Sequence, residues 1–128
     1  MIGPYVSSVF HRRLMKLYRE MTGHNRKGAV ALFTRDQFIA KGIKAMKVGI
    51  CLYCGDVLTV ENISPDHVHP LSKGGTWELD NIEFVCLDCN IEKTHKTLDV
   101  YLATNPSSRI GQRYTAKRKA RKEKRDVT

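Results

Sequence analysis

The sequence predicts a small α+β fold: helices first, short strands after them, and a pair of cysteine knuckles around the strands. Three observations predict it. Apolar residues recur at helical spacing over residues 10–21 and again over 38–46. Short β-rich runs bounded by turn residues follow, between residues 57 and 85. Cys51-x-x-Cys54 and Cys86-x-x-Cys89 bracket those runs, and four thiolates paired in this way match a tetrahedral zinc site.

In the first helix Phe10, Leu14, Leu17, Tyr18 and Met21 share a face, Ser7 or Ser8 caps the start, and Gly23 ends it. Arg12, Arg13, Lys16 and Arg19 take the opposite face, which reads as plain solvated surface. A polar stretch follows, His24 to Gly28. A second helix starts at Thr34, with Gln37 completing a capping box and Phe38, Ile39, Ile43 and Met46 turned to the core. Gly42 inside it costs about 1 kcal/mol relative to alanine. Val57–Val60, Ile63–Val68 and Ile82–Val85 read as strands, with Pro65 marking an edge. Pro70–Asp80 is a loop containing Gly74-Gly75. A last helix is expected from about Cys89 to Val100, with Ile91, His95 and Leu98 on its inner stripe.

The totals narrow the function. A chain of 128 residues makes one modest domain with an appendage. MIGPYVSSVFHRR lacks the apolar run of a secretory signal, and no stretch approaches a membrane span. The expectation is a cytoplasmic protein with reduced cysteines, where CxxC means metal or redox chemistry. Two pairs, without the βαβ pattern of a thioredoxin-like site, favour zinc, and four thiolates make it structural. The net charge of +9 points to a polyanionic partner. From Thr104 onward nine basic residues face Glu123 and Asp126, a local charge of +7. The expected division is residues 1–48, a helical extension; 49–103, the cysteine-clipped unit; and 104–128, a basic tail that grips DNA.

Between the knuckles stand D-H-V-H-P-L-S-K-G-G (66–75) and D-N-I (80–82), and the second knuckle reads C-L-D-C-N-I-E-K (86–93). Taken together and in this order, these motifs resemble the HNH endonuclease family in its zinc-bound form, over about Ile50 to Leu98. The resemblance implies a ββα-metal core that hydrolyses DNA phosphodiesters with one catalytic divalent cation. It implies His67 as general base, Asp66 and Asn90 as ligands of the cation, and Asn81 as the brace that keeps the base oriented. Asn90 stands where some relatives have histidine, which makes this an H-N-N variant.

The chemistry agrees with those residue types. An imidazole near pKa 6.5 can deprotonate water at neutral pH. Carboxylate and amide oxygens suit Mg²⁺ or Mn²⁺, which neutralises charge building on phosphorus and the leaving oxygen. Helix N–H groups near Asn90 would attract a phosphate. Lys93, one turn on, could steady the scissile group or be solvated helix face. His69 alternates with His67 and reads as surface. The glycine pair is an ordinary turn or a place where backbone passes close to DNA. Asp66 and His67 are neighbours on a strand, so they can serve one phosphate only if the strand ends or kinks there.

The expected protein is therefore a metal-dependent DNA endonuclease, nicking or making double-strand breaks. Its partner would be double-stranded DNA, with homodimers, phage or mobile-element origin and phage packaging proteins as further expectations. The alternatives are a non-catalytic zinc-ribbon nucleic-acid-binding module and a DNA-packaging accessory protein. Cys86→Ser should unfold the unit, while Asp66→Ala and Asn90→Ala should leave it folded and inactive.

Overall fold

The computed structural model describes residues 7–23, 32–103, 116–117 and 119–121. Chain order is α1 (Ser8–Gly23), α2 (Arg35–Val48), β1 (Ile63–His67), β2 (Ile82–Cys86), α3 (Leu87–Lys93) and α4 (Leu98–Ala103). The α+β expectation holds. β1 and β2 form a two-stranded antiparallel sheet, from Ile63 opposite Cys86 to His67 opposite Ile82. α1 packs on β1, α2 on β2, and α3 on both strands. The buried side chains, from Phe10 to Leu102, form one cluster.

The helices begin where their caps put them. Ser7 Oγ accepts from the Phe10 N–H, and Phe10, Leu14 and Leu17 are buried along α1. At α2, Thr34 Oγ1 accepts from Gln37 N while Gln37 Oε1 accepts from Thr34 N, closing the capping box. Phe38 is fully buried, with ring contacts to Tyr18, Phe33 and Phe84. The glycine at position 42 has a packing cause. A Cβ there would lie 2.6 Å from a Leu14 methyl and 3.2 Å from the Phe84 ring, so its absence lets α1 and β2 close on α2. Gly49 ends α2 in the left-handed region.

Two expected elements differ. Val57–Val60 is not a strand: Val57 forms a single bridge with Ile50, and residues 60–62 turn. Thr59 and Asn62 cause this by exchanging side-chain-to-backbone hydrogen bonds, which divert the backbone from a ladder. The last helix is two helices. α3 stops at Lys93 and Thr94 takes φ 49°, ψ −117°. Ile91 is 60 % exposed and His95 is exposed, so neither lies on an inner stripe. The polar stretch His24–Gly28 lies outside the described residues, as does most of the basic tail. Within the tail, Lys119 and Arg121 approach Asp99 and Asp80 at 3.7 and 3.9 Å on exposed surface, contacts of little energetic weight.

Thr94 is β-branched and sits in a region that favours glycine. Relief of that strain outweighs the extra freedom glycine gives the unfolded chain. Thr94→Gly is expected to raise unfolding stability by about 1 kcal/mol, read as a higher denaturant midpoint at unchanged slope. An unchanged or lower midpoint would show that the conformation is not strained.

Candidate active site and cysteine cluster

Cys51 opens the first knuckle, Cys86 ends β2 and caps α3, and Cys89 lies in the first turn of α3. The sulfurs of Cys51, Cys54, Cys86 and Cys89 lie within 4.8 Å of one another. Cys54 Sγ is 3.7 Å from Cys86 Sγ, close to the ~3.8 Å edge of a tetrahedron with 2.3 Å zinc–sulfur bonds. Backbone N–H groups of Tyr53 and Cys86 donate to Cys51 Sγ, that of Asp56 to Cys54 Sγ, and that of Cys89 to Cys86 Sγ. The group could hold zinc. A hydrogen bond from Cys89 and several backbone N–H groups draws the Cys51 thiol down to about 5. Burial pushes Cys54 up to about 12, and the bond to Cys51 pushes Cys89 up. One thiolate is favoured and its neighbours resist a second charge. A divalent cation reverses that order.

Asp66 faces α3 and is 6 % exposed. Its Oδ2 accepts from the Tyr53 hydroxyl at 2.8 Å and is ion-paired with Lys93 Nζ at 3.0 Å. Lys93 is fully buried, and its ammonium also donates to the His67 carbonyl at 2.9 Å. The expectation of Lys93 on an open helix face is therefore corrected: it points inward and ties two successive residues of β1 together. Burial pushes the Asp66 carboxyl above its ordinary range, against Lys93 and Tyr53. Glu83 lies directly opposite Asp66 in the sheet, and the like charges are separately answered, Glu83 by Lys41 at 3.6 Å.

His67 is the last residue of β1, so the strand does end at the Asp-His pair. Its ring meets Trp77 edge-on at 4.6 Å, and Nε2 is buried without a hydrogen-bond partner. Burial, aided by the Lys93 charge, brings the imidazole down to about 4. The unfolded chain titrates near 6.5. Above 6.5 neither state holds the proton and stability is unaffected. Between 6.5 and about 4 the unfolded state binds a proton that the folded state refuses, so stability falls as pH drops. Melting temperature should decline through that window more steeply in the wild type than in His67→Gln. Parallel curves would mean that the imidazole is not held neutral.

Asn81 is buried and ties down the loop after β1. Its Oδ1 accepts from His69 N, and its Nδ2 donates to the carbonyls of His69 and Thr76. The glycine pair serves this loop internally. Gly74 has φ +88°, and a Cβ on Gly75 would fall 1.8 Å from the His69 carbonyl oxygen. His69 is exposed, its ring 2.7 Å from the Lys73 carbonyl oxygen. Asn90 Nδ2 donates to Ser64 Oγ and the Pro65 carbonyl, fixing the amide against β1. Two N–H groups at the start of α3 are already engaged, Leu87 with Asn62 O and Cys89 with Cys86 Sγ. That leaves fewer N–H groups for the phosphate site expected at that helix start.

The structure thus brings Asp66, Lys93 and His67 into direct contact and hangs Asn90 from the same strand. Tyr53, Ser64 and Trp77 complete the surroundings and carried no signal in the sequence. Their partners lie 13, 26 and 10 positions away, beyond any local periodicity.

A two-stranded antiparallel sheet followed by a helix, with a four-cysteine cluster that could hold zinc at their junction, makes a small α+β unit consistent with an HNH-like fold. Residues 51–103 match the family model described as HNH endonuclease, and the signature seen in the sequence is thereby shown for that segment. No curated protein matches the chain. Among the described residues no helix is long and apolar enough to cross a membrane.

Proposed function

We propose that the protein hydrolyses phosphodiester bonds of DNA, with His67 as general base. The match of residues 51–103 to the HNH endonuclease model supports a nuclease function in general terms and implies a nucleic-acid substrate. The observation that carries the finer reading is the His67 ring: neutral, unpaired at Nε2, and beside a buried carboxylate–ammonium pair. Buried nitrogens without partners are rare and costly, so Nε2 is left open as an acceptor for the attacking water, although burial and the Lys93 charge make it a weaker base than a free imidazole.

The chain's own residues divide the work. His67 takes the proton of the attacking water, and Trp77 and Lys93 fix the ring and its backbone. Asn81 sets the path of the loop that follows. Both donors to Asp66 land on Oδ2, and both donations by Asn90 use Nδ2. Asp66 Oδ1 and Asn90 Oδ1 are hard oxygen donors that fit Mg²⁺ or Mn²⁺. Such an ion supplies charge neutralisation at the phosphate and the leaving oxygen. Lys93 is then a positioning residue rather than one that touches the phosphate. Zinc at the four cysteines is structural. The domain division at 48 and 103, the intracellular setting and the duplex form of the substrate belong to the same reading.

One observation favours the alternative of a non-catalytic nucleic-acid-binding module: Asp66 already has a structural partner in Lys93. Supercoiled plasmid incubated with Mg²⁺, Mn²⁺ or EDTA separates the two. An endonuclease relaxes or linearises the plasmid with either cation, is silent in EDTA, and slows by roughly 10²–10⁴-fold in His67→Ala. A binding module retards the plasmid without nicking it, and His67→Ala changes nothing.

A further inference from the structure

The matched segment is acidic. Residues 51–103 carry three lysines against nine carboxylates, a net charge of −6. Residues 1–50 carry ten cations against two carboxylates, +8, and residues 104–128 carry nine against two, +7. One of the three lysines in the acidic unit is the buried Lys93. A segment of that charge repels a polyanion, so the grip on a nucleic acid has to come from both flanks.

The N-terminal flank presents its charge in fixed geometry. Arg12, Lys16 and Arg19 lie at i, i+4, i+7 on the exposed face of α1, opposite the buried Phe10, Leu14 and Leu17. Lys44 and Lys47 are exposed on α2, turned from the buried Phe38 and Gly42. Tyr18 rests on Phe38 at 5.5 Å while Leu14 lies against Gly42. The helices therefore run antiparallel, which sets Arg12 and Lys44 at similar heights. Among the described residues the ion pairs within 4.0 Å use other cations, Lys41 and Lys93 among them. Arg12 to Arg19 spans about 10 Å along the helix axis, the length of roughly three phosphates on one DNA strand. The pair is seated on the sheet that carries Asp66 and His67, α1 on β1 and α2 on β2.

We propose that the outer face of this helix pair (Arg12, Lys16, Arg19, Lys44 and Lys47) is a phosphate-binding surface for duplex DNA. It holds the backbone at a fixed offset from the cleavage site. The inference rests on the nuclease reading for its partner and departs from it in placing the grip outside the HNH segment.

The test measures binding of the full chain to a fluorescent 20-base-pair duplex in EDTA, so that no cutting is needed. Affinity is followed against salt concentration. Each lost phosphate contact reduces the logarithmic salt slope by about 0.9. Arg12→Gln/Lys16→Gln/Arg19→Gln should flatten the slope by about 2–3 and weaken low-salt binding at least tenfold. Lys44→Gln/Lys47→Gln should remove roughly a further 2. Melting temperature should stay at the wild-type value, because these side chains point to solvent. An unchanged slope overturns the proposal. So does a variant that loses affinity for anionic phospholipid vesicles while keeping its affinity for the duplex. A flattened slope in a protein that cuts no plasmid leaves this surface standing and removes the catalytic reading alone.

Discussion

Cys86→Ser will leave the chain without a cooperative fold, and stripping metal from the wild type with a strong chelator will reproduce that loss. Cys86 joins four parts of the molecule. It closes β2, its sulfur caps α3 through Cys89 N, its N–H donates to Cys51 Sγ, and its sulfur lies 3.7 Å from Cys54 Sγ. A serine hydroxyl is a poor thiolate substitute, and three remaining ligands leave the knuckles unclamped. Structural zinc contributes roughly 10–16 kcal/mol in zinc-finger peptides, as much as the entire 5–15 kcal/mol stability of a typical domain. Circular dichroism melts with metal counting, with and without chelator, decide the matter. A metal-free protein that melts cooperatively at the wild-type temperature would show that the core folds without the cluster.

The second large effect concerns Lys93. Lys93→Met keeps the length and apolar stem of the side chain but removes its charge, leaving Asp66 buried with the Tyr53 hydroxyl alone. Breaking one side of a buried pair costs about 3–5 kcal/mol, because the surviving charge stays desolvated. Asp66→Asn should be costly for the same reason, since it strands a fully buried ammonium. The double variant Lys93→Met/Asp66→Asn holds no unpaired charge. It should therefore be more stable than the sum of the two losses allows, with a coupling of roughly 0.5–3 kcal/mol. Denaturant unfolding of the four proteins measures it, and additive losses would refute a direct pairing. The expectation that Asp66→Ala simply stays folded is revised on this ground. The carboxylate proposed for the cation is also part of the scaffold.

Legibility in the sequence followed the range of the interaction. The capping box at Thr34–Gln37, the apolar face of α1 and the edge strand with Pro65 depend on neighbours within a turn or two, and local pattern carried them. The strand expected at Val57–Val60 failed because Thr59 and Asn62 satisfy each other's backbone, a competing local bond that β-propensity does not register. The helix expected through His95 failed because Thr94 accepts an unfavourable backbone conformation to let α4 turn back and bury Leu98, Tyr101 and Leu102. Gly42 read as a cost because its benefit, room for Leu14 and Phe84, comes from two distant segments.

The candidate site divides in the same way. The spacing of the cysteines alone marked the four sulfurs as candidate zinc ligands, and the HNH resemblance of the motifs singled out Asp66, His67, Asn81 and Asn90. Which of them faces which was decided only by tertiary packing. Lys93 became a buried partner of Asp66 rather than an open phosphate contact, and the Asn90 amide became fixed against Ser64. The helix pair turned Arg12, Lys16, Arg19, Lys44 and Lys47 outward, away from its buried side chains. Burial is the physical reason: a charge removed from water must find a counter-charge, and a one-dimensional pattern does not record where in space that counter-charge lies.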